Sequence, residues 1–395
     1  MTMPAESRRA AATQAPIIPA IADLIRRHPG TISLGQGVVG YGPPPAATAQ
    51  IARFLADPGL HKYQPVAGIP ALLETLAQKL AAENQIPTGE SHGNRIMVTA
   101  GGNQAFINAV LALGDPGDEF ILPTPYYFNQ EMAVTLANCR PVLVPTDANY
   151  QLDLAALRAA ITPRTRAIIT VSPNNPTGAV YPEADLRAVN ALCAEHGLTH
   201  LHDEAYEYFL HEGAKHFSPA SIPGAAAHTI SLYSMSKTYG FASWRIGWMV
   251  YPAALEAALR KIQDTLIICP PVISQFAALG ALTDSAHYLR DKLHDLAAVR
   301  LVVGRELAPL ITEELAEIPP AHGAFYFLPR LRTTRSAMEI AEELIRDHGV
   351  AVIPGSAFGV TGSCTIRVAY GALTTANANE GMGRLVRGLR KILRG

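Results

Sequence analysis

Short strand-like and helix-like segments alternate along the chain from about residue 95 to residue 252. Seven apolar, β-rich runs occur, at residues 95–101, 119–125, 140–147, 166–173, 199–206, 228–237 and 245–252. Helical stretches such as "NQAFINAVLAL" and "EADLRAVNALCAEHG" separate most of them. Parallel strands need such crossover connections. The alternation therefore predicts an α/β fold with a mainly parallel, seven-stranded sheet that has helices on both faces.

The pattern changes after residue 284. Residues 285–310 are typical of one long helix, and shorter units follow: "AFYFLPR", a helix at "AMEIAEELIRDHG", "CTIRVAY" and a closing basic helix. These units predict a smaller α+β domain. We place an N-terminal arm and part of the small domain at residues 1–48, the large domain at 49–290 and the C-terminal small domain at 291–395.

Composition limits the possible functions. Apolar residues make up 49% and charged residues 16% of the 395 residues, which favours a sizeable core. The 32 Lys and Arg residues nearly balance the 33 Asp and Glu residues, and no basic stripe is visible, so we expect no nucleic-acid partner. Since no apolar run approaches the ~18 residues that a membrane helix needs, we expect no membrane association.

The cysteines indicate a reduced compartment. Cys139, Cys193, Cys269 and Cys364 are far apart and form no CxxC pair. This spacing favours a cytoplasmic chain without a zinc site or a disulfide framework, and we expect no metal. Residues 1–27 contain early arginines and many alanines, but prolines and an aspartate interrupt any signal-like core. We interpret this segment as an arm and a short helix of the mature protein.

One glycine motif matches a dinucleotide fingerprint only in its letters. "GQGVVG" (35–40) satisfies GxGxxG, but "YGPPP" follows it. A pyrophosphate site needs a helix N-terminus directly after the glycines, and three prolines with another glycine cannot open that helix. We therefore interpret the motif as a turn. A nicotinamide-dependent oxidoreductase remains the remote rival.

A second glycine motif is better suited to bind a phosphate. In "TAGGNQA" (99–105) a strand, a glycine pair and a helix follow one another. This order aims free backbone N–H groups and the positive end of the helix dipole at an anion. An ordinary tight loop between strand and helix explains the same letters about equally well.

Polar residues follow two further strands at the edge where open α/β sheets bind ligands. "SPNNPTG" places Asn175 there, and "HDEAY" places Asp203 and Tyr206. A turn and a helix cap are the alternative explanations for these residues. Arg367 lies inside the apolar strand "CTIRVAYG", where it is either a member of a buried ion pair or a bidentate carboxylate clamp.

The stretch "SMSKTYGFASWRIGW" (234–248) is the most unusual one. It contains Lys237 between hydroxyl residues and glycines, with Arg245 eight positions later. A salt bridge on a helix face is one explanation, but the glycines argue against one continuous helix. A lysine in this setting, with Ser234 and Ser236 beside it, could instead serve a phosphorylated carbonyl cofactor.

Together these segments resemble the fold type I pyridoxal-phosphate aminotransferases of class I/II, a group that includes aspartate, aromatic and kynurenine aminotransferases. The resemblance extends from "SLGQG" to "IRVAYG", with the motifs in family order, and "SMSKTYGFASWRIG" is its specific signature. It implies that residues 49–290 form a large domain that binds pyridoxal 5′-phosphate.

The resemblance also implies how the phosphate end of the cofactor is held. Lys237 matches the lysine that forms a Schiff base with the cofactor, and a partly neutral lysine suits that reaction. The residues that match phosphate ligands are Ser234, Ser236, Arg245, and, through main-chain donors, Gly101, Gly102 and Asn103. Tyr63 matches a tyrosine that reaches the phosphate of a neighbouring subunit, which implies a homodimer with shared active sites.

Further positions match the residues around the cofactor ring. Asp203 matches the acid that faces the pyridine nitrogen and keeps it protonated, so that the ring withdraws electrons from the reacting carbon. Asn175 and Tyr206 match the partners of the ring's 3′ oxygen. Tyr127 occupies the position of a stacked aromatic ring, where many relatives have Trp or Phe. Lys237, Asp203 and Tyr206 are thus the expected catalytic residues.

The resemblance places the substrate as well. Arg367 matches the clamp on the α-carboxylate, with Asn175 and the main chain of Gly37 beside it. The implied reaction is a ping-pong transfer of the amino group of an α-amino acid to a 2-oxo acid, with Lys237 moving the proton. Some aspartate-specific members carry a lysine where this chain has Asn103, and "LIICPPVISQ" is apolar. We therefore expect a neutral or aromatic amino donor.

Other reactions use the same framework. C–S β-elimination, ring closure and amino acid oxidation would all retain Lys237, Asp203 and Arg245, because sequence motifs report the cofactor more reliably than the fate of the carbanion. A silent regulator that binds the cofactor is a further alternative. Such a protein lacks a reactive residue or carries a DNA-binding domain, and this chain shows neither feature. Transamination is the function that we expect.

Overall fold

The computed structural model describes residues 6–394. Residues 1–5 of the expected N-terminal arm and residue 395 lie outside the described part. The α-helices are α1 (Arg8–Ala12), α2 (Ile17–Arg27), α3 (Pro45–Ala56), α4 (Pro70–Glu83), α5 (Gly102–Leu113), α6 (Phe128–Leu136), α7 (Leu154–Ala159), α8 (Glu183–His196), α9 (Met235–Thr238), α10 (Glu256–Ile267), α11 (Val272–Thr283), α12 (Ala286–Thr312), α13 (Ala337–His348) and α14 (Thr375–Arg394).

The strands are mostly short outside the central sheet. They are β1 (Ile32–Ser33), β2 (Asn94–Thr99), β3 (Glu119–Thr124), β4 (Arg140–Pro145), β5 (Thr165–Val171), β6 (Thr199–Asp203), β7 (Thr229–Ser234), β8 (Gly247–Pro252), β9 (Ala316–Glu317), β10 (Tyr326–Phe327), β11 (Arg330–Leu331), β12 (Val350–Ala351), β13 (Ile353–Pro354) and β14 (Cys364–Ala369).

The seven-stranded sheet that the alternating pattern predicts is confirmed. Its strand order is β2-β8-β7-β6-β5-β3-β4. Only β8 runs against its neighbours, because it pairs antiparallel with both β2 and β7, while the other pairings are parallel. The parallel strands therefore bring their carboxyl ends to one edge, where loops and helix N-termini collect.

Alternate residues of each strand pack against helices on opposite faces of the sheet. Phe120 and Leu122 of β3 join a buried cluster that contains Phe106 and Val110 of α5. Ile121, between them, joins a different cluster that contains residues of α8. Since successive side chains of a strand point to opposite faces, the apolar runs of these strands are buried on both sides, as a parallel sheet requires.

The two ends of the chain meet in a second group of elements. β1 pairs parallel with β12, so Ile32 lies beside Val350. β14 lies at the centre of a small antiparallel sheet with β10, β11 and β13. The long α12 packs against α14 through a buried stripe that includes Val299, Val303 and Leu307. The expected domain boundaries at residues 48 and 290 stay predictions.

No single helix among residues 6–394 combines the length and apolarity needed to cross a bilayer. One helical pair, Ala253–Ile267 and Val272–Thr283, meets that length and composition test only jointly, across a bend of 119°.

Candidate active site

A cleft opens at the carboxyl edge of the parallel strands. The loops that follow β5, β6 and β7 and the start of α5 all contribute to it. The residues that line it are Gly102, Asn103, Tyr127, Val171, Asn175, Asp203, Ala205, Tyr206, Ser234, Ser236, Lys237 and Arg245. Ten of these were expected at the site from the sequence, so residues from positions 102 to 245 converge as the motifs predict.

Lys237 reaches the cleft from a single helical turn. β7 ends at Ser234, whose Oγ accepts a hydrogen bond from the backbone N–H of Ser236 (3.2 Å) and caps α9. The Nζ of Lys237 donates to the backbone oxygen of Gly37. Burial, and then the positive charges of Arg367 and Arg245, lower the pKa of Lys237 to about 8. A fraction of this lysine is therefore neutral at physiological pH.

A cradle for an anion lies beside Lys237. Gly101 precedes α5 with φ at +84° and provides no side-chain cap, so the first N–H groups of the helix are not capped by a side chain. A Cβ at Gly101 would lie 2.3 Å from Nη2 of Arg245, which explains the glycine. Arg245 itself has φ of 55° and donates to the backbone oxygens of Ala242 (2.9 Å) and Ala100 (3.2 Å). Helix N-termini with an adjacent guanidinium bind phosphate well.

Asp203 is the acid of the cleft. Its Oδ2 accepts a hydrogen bond from Nε2 of Gln130 (2.9 Å), and its Oδ1 accepts one from the N–H of Ala205 (3.1 Å). Burial raises the pKa of Asp203 to about 6, although these two bonds and the nearby Lys237 act in the opposite direction. Near neutral pH the carboxylate is thus largely ionised in a buried setting.

Asn175 and Arg367 meet on the side of the cleft that faces the small sheet. Arg367 is 2% exposed and lies on β14. Its Nη1 donates to Oδ1 of Asn175 (2.8 Å), and its Nη2 donates to the backbone oxygen of Gly35 (2.7 Å). Its Nε is buried without a partner. Neither partner is anionic, so a buried cation is left that a carboxylate would neutralise.

The proline-rich segment after β1 belongs to this site. No helix starts between Leu34 and Pro44, as expected for a motif that does not bind a dinucleotide. Instead the backbone oxygens of Gly35 and Gly37 accept hydrogen bonds from Arg367 and Lys237. "GQGVVG" therefore supplies main-chain acceptors to the site.

Two further expected residues differ in their position. The hydroxyl of Tyr127 accepts from Nδ2 of Asn129 (2.7 Å) and lies 3.4 Å from Oδ1 of Asn103, so this side chain is fixed at the cleft. Tyr63 is 78% exposed and lines a separate groove with residues 269–273. Within one chain Tyr63 is therefore apart from the cleft.

Sequence reasoning missed a layer of supporting residues. Gln130 lies in the first turn of α6, three positions after the N-cap residue Tyr127, so a helix predicted from "YYFNQ" would have placed it near the cleft. The carboxylate of Glu204, next to Asp203, accepts hydrogen bonds from Ser218 and Tyr233 and contacts His216 (2.7 Å). Burial opposes its ionisation, yet the bonds to His216 and Ser218 lower the pKa of Glu204 to about 2.

Tyr326 is the other residue that the motifs do not reveal. Its hydroxyl lies 2.7 Å from that of Tyr206, and both side chains are buried. In the sequence it is one aromatic residue of an apolar strand, "AFYFLPR", so nothing marks it as part of a site. Only the pairing of β10 with β14 brings it beside Arg367.

Comparison with protein families gives a match over most of the chain. The family described as "Aminotransferase class I and II" matches residues 29–385. An aromatic aminotransferase of Arabidopsis thaliana is 33% identical over 98% of this chain and 97% of its own length. An aspartate aminotransferase of Pyrococcus abyssi is 34% identical over 91% of this chain and 92% of its own length.

Solved structures show the same similarity in three dimensions. The aspartate aminotransferase of Thermus thermophilus, solved with maleate, has a TM-score of 0.87 at 32% identity and covers 98% of this chain and 100% of its own. The aromatic aminotransferase of Pyrococcus horikoshii has a TM-score of 0.86 at 33% identity, with 94% and 99% covered.

The raised pKa of Asp203 makes this residue a source of instability in the ligand-free protein. Because its folded-state pKa is about 6, above the ordinary 3.8, the ionised form is disfavoured in the fold. We expect Asp203→Asn to stabilise the ligand-free protein at pH 8 by up to about 3 kcal/mol. The gain should shrink as the pH falls through about 6 and vanish below about 4. Chemical unfolding measured across this pH range tests it.

Asp118 provides the control of opposite sign. Its hydrogen bonds with Arg166 lower its pKa, so its ionised form stabilises the fold at neutral pH. Asp118→Asn should therefore destabilise the protein at pH 8 and lose this effect in acid. An Asp203→Asn variant that is less stable than the wild type at pH 8 would contradict our account of the buried carboxylate.

Proposed function

The chain belongs to the class I and II aminotransferases and is a transaminase that uses pyridoxal phosphate, and we propose that it takes aromatic amino acids as its donors. The enzyme transfers the amino group of an amino acid to a 2-oxo acid. The observation that carries the donor assignment is the charge of the cleft: Arg245 suits the cofactor phosphate, Arg367 suits the substrate α-carboxylate, and Lys237 is the reactive amine.

The residues of the cleft fit the cofactor. A phosphate suits the cradle formed by Gly101, the start of α5 and Arg245, and a Cβ at position 101 would block that guanidinium. The buried amine of Lys237, with its lowered pKa, suits a carbonyl partner. We assign phosphate binding to Ser234, Ser236, Arg245 and the main chain of Gly101, Gly102 and Asn103.

Lys237 is the residue that we assign to proton transfer. Pyridoxal phosphate, when bound, supplies an aldehyde that captures the substrate amine and a ring that withdraws electrons from the substrate Cα. A neutral Lys237 amine would remove the proton from the substrate Cα and, as a general acid, would donate it to C4′, the former aldehyde carbon of the cofactor. A pKa of about 8 suits both directions, because neither protonation state of the amine is rare near pH 8.

Asp203, Asn175 and Tyr206 hold the cofactor ring in this proposal. The carboxylate of Asp203, fixed by Gln130 and Ala205, keeps a proton on the pyridine nitrogen. Nδ2 of Asn175 lies 3.4 Å from the hydroxyl of Tyr206, so the two side chains form one polar wall. That wall would offer donors to the ring's 3′ oxygen, and the aromatic ring of Tyr127 would suit a stacking partner for the cofactor ring.

Arg367 is the proposed clamp for the substrate α-carboxylate. The fork of its guanidinium is already held by Asn175 and the backbone of Gly35, so its orientation is fixed before the substrate arrives. Pre-positioning of this kind lowers the entropy lost when a bidentate ion pair forms. It also places the substrate Cα next to Lys237, whose amine contacts the main chain of Gly37.

The donor preference follows from the cations that remain. Lys237 and Arg245 are the cationic residues among those that line the cleft, and Arg367 lies beside it. In the part of the chain that the structure describes, the cleft lining thus supplies no further cation for a second substrate carboxylate. Position 103, where some aspartate-specific relatives have a lysine, is an asparagine in this chain. This supports an aromatic side chain over an acidic one.

An acidic donor is the second candidate, because relatives of similar identity are named for aspartate as well as for aromatic amino acids. The lyase, cyclase and oxidase reactions that use the same framework are not favoured. The relatives considered for the donor are all named as aminotransferases. A nicotinamide-dependent oxidoreductase is not favoured either, because no helix starts directly after "GQGVVG".

We infer a homodimer in the cytoplasm. Tyr63 lines an exposed groove with Leu60 and Ile273, and Tyr63 and Ile273 are 78% and 36% exposed. A second copy of the chain is suited to cover an apolar groove of this kind. That contact would bring Tyr63 to the cofactor phosphate of the neighbouring subunit. The four cysteines are free thiols, which supports a reducing compartment.

Single amino acids added to the purified holoenzyme test the donor assignment. We expect phenylalanine and tyrosine to bleach the cofactor's visible absorbance with a kcat/KM at least about tenfold above that of aspartate. The reason is that the side-chain carboxylate of aspartate would lack one charge-assisted contact in the cleft. A 2-oxo acid should restore the colour, and Lys237→Ala should show no bleaching. A higher rate with aspartate would overturn the donor assignment, whereas no bleaching by any amino acid would contradict transamination itself.

Loss of the Arg367 guanidinium should impair every donor. Arg367→Ala removes two charge-assisted hydrogen bonds to the α-carboxylate, worth roughly 1.5–3 kcal/mol each. We expect kcat/KM for amino acids to fall about a hundredfold or more. Arg332→Ala, which removes a half-exposed arginine outside the cleft, is the matched control. An Arg367→Ala variant that binds cofactor and retains its kcat/KM would rule out the clamp.

Mixed dimers test whether the active sites are shared. A Lys237→Ala subunit paired with a Tyr63→Ala subunit contains one site with both defects and one with neither, if Tyr63 serves its neighbour. We expect such a heterodimer, isolated with two affinity tags, to recover about half of the wild-type activity while both parent homodimers are impaired. No recovery would place Tyr63 outside the neighbouring site, and a monomer in solution would refute the dimer.

A further inference from the structure

Tyr326 is buried between the two halves of the site and has no role in the function proposed above. It is 0% exposed and lies on β10, where it pairs with Ala369 of β14, two residues beyond Arg367. Its side chain contacts three groups of the site: the hydroxyl of Tyr206, the guanidinium of Arg367 and the main chain at Gly37. A residue with these contacts can affect the cofactor and the substrate together.

The hydroxyl of Tyr326 has a defined partner. It lies 2.7 Å from the hydroxyl of Tyr206, and among residues 6–394 this is the hydrogen-bond acceptor within its reach. The oxygen of Tyr206 also faces the amide Nδ2 of Asn175, a donor, at 3.4 Å. Either hydroxyl can donate in this pair, and we assign the donor role to Tyr326, so that the Tyr206 oxygen faces two donors. The proton of Tyr206 itself is then directed away from both, into the cleft.

Both hydroxyls keep their protons at physiological pH. Burial raises the pKa of Tyr326 to about 12, and burial, followed by the neighbouring Tyr326, raises the pKa of Tyr206 well above 10. The pair therefore acts as an ordered chain of donors. In such a chain each hydrogen bond strengthens the next one.

The ring of Tyr326 contacts the substrate clamp. Cζ of Arg367 lies 4.6 Å from the centre of the Tyr326 ring and 4.9 Å from that of Phe358. Rings at these distances attract a guanidinium and limit its rotation. Nη1 and Nη2 of Arg367 are held by hydrogen bonds to Asn175 and Gly35, while Nε has no hydrogen-bond partner, so the two rings add a restraint on the plane of the guanidinium.

Gly37 is small because of the same hydroxyl. A Cβ at position 37 would lie 2.7 Å from the Tyr326 oxygen, closer than real Cβ contacts. The close approach lets the backbone oxygen of Gly37 accept from Lys237. The hydroxyl of Tyr326 thus lies against the main chain that contacts the reactive amine.

We propose that Tyr326 is a positioning residue with two separable functions: its hydroxyl orients the Tyr206 proton toward the cofactor's 3′ oxygen, and its ring holds the Arg367 guanidinium in the plane that receives the α-carboxylate. The inference rests on the proposed roles of Tyr206 and Arg367. It predicts that removal of the hydroxyl alone changes the cofactor's titration, whereas removal of the ring also weakens carboxylate binding.

Two variants of the holoenzyme separate these functions. Tyr326→Phe removes only the hydroxyl, and Tyr326→Leu removes the ring as well. The first measurement is the pH midpoint of the cofactor's visible absorbance change without substrate. The second is the Kd of 3-phenylpropionate, a carboxylate without an amino group, obtained from the absorbance change on binding. Neither readout requires turnover.

We expect Tyr326→Phe to raise the pH midpoint by about 0.5 to 1 unit, because a weaker donor at Tyr206 leaves the 3′ oxygen less stabilised as an anion. Its Kd for 3-phenylpropionate should stay within about twofold of the wild type. Tyr326→Leu should show the same upward shift and a Kd raised about tenfold, as expected for a lost cation–π contact. Tyr206→Phe should raise the midpoint further than either variant.

Tyr370→Phe is the matched control. Tyr370 is also fully buried, and its hydroxyl lies 3.3 Å from the backbone oxygen of Ala324 and 3.3 Å from Nε2 of His211, not within hydrogen-bond distance of Tyr206 or Arg367. It should leave both readouts unchanged. An unchanged midpoint in Tyr326→Phe, or an unchanged Kd in Tyr326→Leu, would overturn the corresponding function of Tyr326 even if both variants melt at lower temperature. A wild-type protein without a visible cofactor band would overturn the proposed function and this inference together.

Discussion

The grouping of three cations around one carboxylate is the constraint on which the site depends. Arg367 is buried, Lys237 is half-buried and Arg245 is exposed at the cradle, while Asp203 is the acid among the residues that line the cleft. Buried charge of one sign is unfavourable without a counter-charge. The cleft is therefore complete only with anions in it, and a phosphate and a carboxylate are the two that its geometry suits. Binding of cofactor and substrate relieves an imbalance that is built into the fold.

A second layer of polar groups surrounds the cleft and stabilises this arrangement of charges. Glu204, next to Asp203, is held by His216, Ser218 and Tyr233. Lys79 of α4 forms an ion pair with Glu207 (2.6 Å), so it links α4 to the segment after β6 that contains Tyr206. Hydrogen-bonded networks of this kind rigidify their surroundings. They hold the charged side chains of the cleft in position when no bound anion neutralises them.

Much of the fold and of the site could be predicted because the relevant signals are local. The run of alternating strand and helix segments gave the seven-stranded sheet, since apolar β-rich runs and crossover helices have different periods. Polar residues at the ends of strands, such as Asp203 and Ser234, had to meet, because parallel strands end at one edge. Lys237 and Arg245 were found by their resemblance to a known signature. The surrounding layer was not predictable: Gln130, Tyr326 and Lys79 lie in stretches whose letters suit any helix or strand.

The sequence by itself determined the elements, the edge at which the ligands bind and the identity of the reactive lysine, because each of these depends on residues close together in the chain. Only the tertiary structure decided which long-range pairs form. The pairing of β10 with β14 places Tyr326 against Arg367, and the return of the N-terminal segment to β12 brings Gly35 and Gly37 to the same cleft. These contacts join positions 41 residues apart for Tyr326 and Arg367 and 332 residues apart for Gly35 and Arg367. Their free energy comes from burial and hydrogen bonding that exist only after the layers pack. Local patterns carry no record of them.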